Sequence, residues 1–100
     1  MRIIFRDDAR AEFDDALSYY NERDPAVAAG FVADYQKLET QLLQFPNAGV
    51  RVARNGRRVI FSKYPYQLIY RVEGDEIVIY AVAHQKRRPG YWRKRISTKG

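Results

Sequence analysis

The sequence predicts an α+β fold in which a two-helix hairpin covers one face of a mainly antiparallel sheet. Three observations carry this. The hydrophobic period changes from about 3.6 residues to about 2 at Pro46. Two amphipathic helical stretches precede that point, joined only by Asp24-Pro25. The strands on either side of Gly74-Asp75 sort into one apolar and one mixed face.

Each element follows in order. "RIIF" at residues 2–5 suits a short strand. In "DDARAEFDDALSYYNERD", Ala9, Phe13, Ala16, Leu17 and Tyr20 fall on one helical face, and Asp7 or Asp8 is placed to cap its start. The acids of that first turn also suit the helix dipole. Asp24-Pro25 restarts the chain as N-cap and first helical residue. Beyond it Ala28, Phe31, Tyr35, Leu38, Leu42 and Phe45 recur by alternating threes and fours until Pro46 ends the helix. Helices this close in sequence pack as an antiparallel hairpin.

After Pro46, "RRVIF", "YQLIYRV" and "EIVIYAVAH" read as the strands of a meander, with a turn signal at Asn55-Gly56. Gly74-Asp75 reads as a two-residue hairpin turn that pairs Val72 with Ile77 and Tyr70 with Ile79. This register puts Tyr66, Leu68, Tyr70, Val72, Ile77, Ile79, Ala81 and Ala83 under the helices. It puts Gln67, Ile69, Arg71, Val78, Tyr80, Val82 and His84 on the opposite face.

One hundred residues with 46% apolar composition fit one core, so residues 1–100 are expected to form a single domain. The chain has no Cys, which excludes disulfides, thiolate metal sites and cysteine nucleophiles. "MRIIF" is too short for a signal-peptide core and no apolar run approaches the roughly 20 residues of a membrane span. A cytoplasmic protein without membrane contact is the expectation. Charge is divided unevenly: residues 1–50 hold five Lys/Arg against nine Asp/Glu, and residues 51–100 hold thirteen against three. The halves therefore carry −4 and +10. Such a field favours a polyanion or an acidic protein surface on the C-terminal half, and basic charge also serves solubility alone.

Motifs of common enzyme classes are missing. No Gly-rich phosphate loop and no nucleophile-elbow Ser occur, and a single His does not build a zinc site, so neither metal nor cofactor is expected. The acidic pairs Asp7-Asp8 and Asp14-Asp15 read as solvated surface. What remains is the mixed sheet face and the segment it runs into, "VAHQKRRPGYWRKR". Arg58, Arg71, His84, Lys86, Arg87 and Arg88 would converge there on a shallow basic surface edged by Tyr91 and Trp92. Such a surface would hold RNA through phosphate contacts and stacking, or grip an acidic protein patch. A plainer reading makes Tyr80 and Trp92 part of a second hydrophobic cluster and His84 a structural residue.

The succession of a helix hairpin, "FSKYPYQLIYRV" and "IVIYAVAHQKRRPGYWRKR" resembles the RelE/ParE superfamily of bacterial toxin–antitoxin toxins over nearly the whole chain. The resemblance implies a β-α-α-β-β-β order, cytosolic expression beside an antitoxin, and activity suppressed by that antitoxin. It also implies one of three functions. The first is a ParE-like inhibitor of DNA gyrase with no chemistry of its own. The second is a RelE-like, ribosome-dependent endonuclease acting on mRNA. The third is an inactive relative that retains only antitoxin binding. In the nuclease branch the expected catalytic set is Arg58, Arg71, His84 and Arg87, with His84 as a possible acid–base group. Two basic positions of that branch are occupied here by Ile60 and Gln67, and Tyr91 is offset from the usual tyrosine. Charge stabilisation for phosphoryl transfer is correspondingly thin, which favours the gyrase branch. In that branch Lys86, Arg87, Arg88, Tyr91, Trp92 and Arg93 are expected to contact the target or the antitoxin.

Overall fold

The structure, a computed structural model, describes residues 1–96. The chain runs through β1 (Arg2–Phe5), α1 (Asp7–Arg23), α2 (Pro25–Gln44), β2 (Val50–Arg51), β3 (Arg57–Ile60), β4 (Tyr66–Glu73) and β5 (Glu76–His84). Short 3-10 turns lie at Ala53–Asn55 and Arg93–Ile96. The sheet order is β1-β5-β4-β3-β2, with β1 parallel to β5 and the other pairs antiparallel. This is the expected α+β arrangement, with the two-residue β2 as an added edge strand.

Local chemistry explains the hairpin. Asp24 ends α1 and caps α2, its carboxylate accepting the Ala26 N–H at 2.9 Å while Pro25 opens the second helix. At α1 the cap differs from expectation. Arg6 is the N-cap and gives no side-chain hydrogen bond, so Asp7 and Asp8 lie inside the first turn, where their charge suits the positive end of the helix dipole. The β2–β3 turn also sits one residue early. Arg54 and Asn55 take the left-handed conformation (φ 60° and 63°), while Gly56 is extended. A Cβ at Gly56 would meet Ile96 Cδ1 at 2.6 Å, so a larger residue there would require the Ile96 side chain to shift.

The Gly74 turn pairs Val72 with Ile77 and Tyr70 with Ile79, as the sequence predicts. The register then shifts: Ile69 faces Ala81, which leaves Tyr80 as an extra residue on β5. That bulge reverses the alternation beyond it. Val82 turns into the core beneath the helices, while Ala81 joins Val78 and Tyr80 on the outer face. The expected places of Ala81, Ala83, Val82 and His84 are therefore exchanged. His84 lies on the helix side, its ring 5.0 Å from that of Tyr66.

Two cores result. Under the helices, Phe31 stacks on Phe61 at 5.4 Å, and Leu42, Leu68, Tyr70, Ile77 and Ile79 are fully buried. On the outer face, Ile69, Val78, Tyr80 and Ala81 are covered by Trp92 and Ile96 from the C-terminal segment. Tyr80 and Trp92 thus complete a second hydrophobic cluster.

Asp34 is buried within the apolar stripe of α2 and accepts the N–H groups of Ser62, Lys63 and Tyr64 at 3.3, 2.7 and 3.1 Å. It fastens the β3–β4 loop to the hairpin. Asp34→Ala strands these donors and is expected to cost roughly 3 kcal/mol in denaturant unfolding. A loss near zero would show that water replaces the carboxylate.

Candidate C-terminal basic site

The site begins where β1 stops. Phe5 is the last β1 residue paired with β5, and the Arg6 N–H bonds the Ile79 carbonyl at 3.0 Å. Beyond that point β5 has no strand on this side, yet its edge groups are satisfied. The Val82 N–H donates to Glu12 at 2.9 Å, and the Tyr80 carbonyl accepts from Arg95 at 3.1 Å. α1 and the C-terminal segment together close an otherwise open edge.

Glu12 is the centre of this closure. Its Oε1 accepts from Val82 N–H and from Arg95 Nη1 at 3.0 Å. Its Oε2 accepts from the Tyr91 hydroxyl at 2.7 Å, from Arg95 Nη2 at 3.0 Å and from Arg87 Nη1 at 3.4 Å. The Arg95 pairing is bidentate, and its Nε also faces Asp8 at 3.3 Å. The side chains of Glu12 and Arg95 are only 13% and 18% exposed, so the pair is shielded from solvent screening. Burial pushes the Glu12 carboxyl up, but hydrogen bonds from Arg95, Tyr91 and the Val82 N–H outweigh it and hold the group below its ordinary value. The Tyr91 hydroxyl moves the opposite way, raised by burial and by donation to Glu12.

The segment is shaped to reach this position. Gly90 takes φ +77°, and the turn Arg93–Ile96 follows. Trp92 and Ile96 insert into the outer core at 6% and 0% exposure, while Arg93 faces solvent. Lys86, Arg87 and Arg88 are also exposed, and Arg87 lies over the Tyr91 ring at 3.9 Å. The positive charge is therefore displayed on a fastened loop, with Tyr91 half-buried and Trp92 inside.

The four cations of the nuclease reading are split between the faces of the sheet: Arg58, paired with Ile69, shares the outer face with Arg71, whereas His84 lies on the helix side. Arg71 bonds Glu73, the Tyr80 hydroxyl and the Ile96 carbonyl on the outer face. Tyr80 in turn donates to Glu73. Arg87 is held by Glu12 and Tyr91. His84 stands across the sheet beside Tyr19, Tyr20, Pro65 and Tyr66, with its Nδ1 accepting the Lys86 N–H at 3.0 Å. Burial there also pushes the Tyr66 hydroxyl up to about 12. Arg58 sits on β3 opposite Ile69 and Val50.

A family model described as the ParE toxin of the type II toxin–antitoxin system parDE matches residues 3–89. This chain belongs to the ParE toxin family. Among solved structures, one described as the chromosomal ParDE TA system from P. aeruginosa shares the fold. Its TM-score is 0.71 at 24% identity, covering 84% of this chain and 95% of that one. No curated protein matches. The membership agrees with the resemblance drawn from "FSKYPYQLIYRV" and "IVIYAVAHQKRRPGYWRKR", and it makes the chain a toxin of a type II toxin–antitoxin system. Among the described residues no helix is long and apolar enough to cross a membrane.

Glu12, Asp34 and Arg95 were not legible as site residues. A signal for the two acids does exist. Glu12 lies three residues after Ala9 and Asp34 three after Phe31, so each acid sits within the apolar stripe of its helix. A carboxylate there requires buried donors.

Proposed function

We propose that this ParE-family toxin acts in the bacterial cytoplasm as a single domain, inhibits growth through DNA gyrase, and is neutralised by a cognate antitoxin. Membership of the family supports the antitoxin and the gyrase target as its typical partners. The observation that carries the choice of target is the separation of His84 from the outer-face Arg58 and Arg71, together with the neutralisation of Arg71 and Arg87 by carboxylates. Arg71 is matched by Glu73, Arg87 by Glu12, and His84 lies on the helix side of the sheet. Phosphoryl transfer needs donors that converge on one phosphate, and this arrangement favours a protein-binding role. The exposed Lys86, Arg87, Arg88 and Arg93 would then meet an acidic surface, with electrostatics setting encounter rate and specificity.

Expression in a bacterial host, scoring growth, DNA damage response and mRNA cleavage together, tests the proposal. Growth arrest with DNA damage and without ribosome-phased cleavage is expected. Phased cleavage would select the RelE-like nuclease, and unimpaired growth the inactive relative. His84→Ala is expected to leave toxicity nearly intact; a large loss with an unchanged fold would restore an acid–base role for the imidazole.

A further inference from the structure

Where β5 ends on the helix side, Tyr19, Tyr20, Pro65, Tyr66 and His84 line a pocket of about 410 Å³. Small-molecule sites span about 300–1,000 Å³ and share this make-up, mostly apolar and aromatic walls with a few placed polar groups. The rings stand edge-on to one another. Tyr19 meets Tyr20 at 5.3 Å, Tyr20 meets Tyr66 at 6.4 Å and Tyr66 meets His84 at 5.0 Å, with interplanar angles of 79°, 73° and 80°. Rings so arranged wall a space instead of filling it by stacking on each other. Tyr19 is 50% exposed, and Arg23 steadies its ring from 3.6 Å while donating to the Tyr19 carbonyl at 3.0 Å.

The polar groups of the pocket are donors. Nδ1 of His84 accepts the Lys86 N–H, so in the neutral imidazole the proton sits on Nε2. This Nε2 has no partner among the described residues, where the one enclosed and unpaired side-chain nitrogen belongs to Arg58, so it is open to a ligand. Burial raises the Tyr20 and Tyr66 hydroxyls, which therefore stay protonated at neutral pH. The bond from Lys86 also ties the pocket to the basic turn. Lys86 stands two residues from the imidazole with an exposed side chain, and exposed Arg87 and Arg88 follow it.

We infer that this pocket binds a free nucleoside phosphate, with the base among the tyrosine rings, its edge acceptors on His84 Nε2 and the Tyr20 hydroxyl, and the phosphate toward Lys86. Three features select this class. Tyrosine and histidine rings take any base by stacking, because every base has a π-face. The open imidazole donor meets the nitrogen and carbonyl acceptors that bases present at their edges. The cations at the rim attract phosphate and repel a cationic ligand. An aromatic side chain of a protein would bring the ring without the anion. The site lies on the helix side, away from Arg58 and Arg71 on the outer face, and binding rather than cleavage is assigned to it. The inference goes beyond the gyrase reading and does not depend on it.

Calorimetric titration of the purified full chain with the monophosphates of adenosine, guanosine, cytidine and uridine tests the site, with the corresponding nucleosides and inorganic pyrophosphate as comparisons. At least one nucleotide is expected to bind, and to displace the His84 imidazole resonance in NMR spectra. Tyr19→Ala is expected to weaken binding roughly tenfold, the loss typical of one stacking ring, with thermal stability unchanged because the side chain is half-exposed. His84→Ala is expected to weaken it similarly. Lys86→Ala should weaken the nucleotide and leave the nucleoside unchanged, which separates the phosphate contact from the base contacts. Absence of binding by all four nucleotides overturns the site. So does binding that both Tyr19→Ala and His84→Ala leave at wild-type strength, or that does not move the His84 resonance. Pyrophosphate binding as tightly as the nucleotide would reduce the site to an adventitious ion only, attracted by the basic turn. Binding of a single-stranded RNA oligomer through these residues, with no binding of free nucleotides, equally overturns the assignment.

Discussion

Glu12→Ala is expected to destabilise the fold by about 3 kcal/mol in denaturant unfolding, because it removes one partner of a shielded ion pair and leaves the other buried. Arg95, the Tyr91 hydroxyl and the Val82 N–H all lose their acceptor at once. The edge of β5 opens where β1 has already ended. Glu12→Gln, which keeps shape and one acceptor, is expected to cost less. The same carboxylate sets a pH dependence. Its folded value is depressed below that of the unfolded chain, so its contribution is fully present above about pH 4.3 and is lost as pH falls through the folded value. Wild type and Glu12→Gln should therefore converge in stability under acid. Stability profiles that remain parallel down to the lowest pH would show that the charge of Glu12 contributes nothing.

Trp92→Ala is expected to cost about 3 to 4 kcal/mol, the usual range for removing a large aromatic side chain from a core. Trp92 is buried against Ile69, Val78, Tyr80 and Ala81, so its loss leaves a void on the outer face and loosens Ile96. Unfolding of the variant at a clearly lower denaturant midpoint checks this, and an unchanged midpoint would show that the segment does not pack there. The variant also separates two roles of the aromatic pair. Measured below its unfolding transition, an unchanged dissociation rate from the antitoxin assigns Trp92 to the fold. Faster dissociation with the fold intact assigns it to the partner as an anchor.

The architecture was legible because it rests on local signals. Asp24-Pro25, the alternating threes and fours from Ala28 to Phe45, and the Gly74 turn each specify their element without help from distant residues. The register was legible only up to Ile79. Nothing in "IVIYAVAH" marks Tyr80 as an extra residue, because every side chain in that run suits either face. The bulge moves His84 away from the outer-face Arg71 and places Val82 in the core. The basic segment was visible as charge, but its fastening was not. Glu12 and Arg95 are separated by 83 residues, and their pairing depends on β1 ending early and leaving an edge to be closed.

The central claim, a ParE-family toxin directed at gyrase, is tested most directly by adding the purified chain to purified DNA gyrase and following supercoiling and DNA cleavage. Inhibited supercoiling with accumulation of cleaved DNA, abolished by prior addition of the antitoxin, is the predicted result. Unaffected gyrase, together with mRNA cleavage by the same preparation on translating ribosomes, would contradict it.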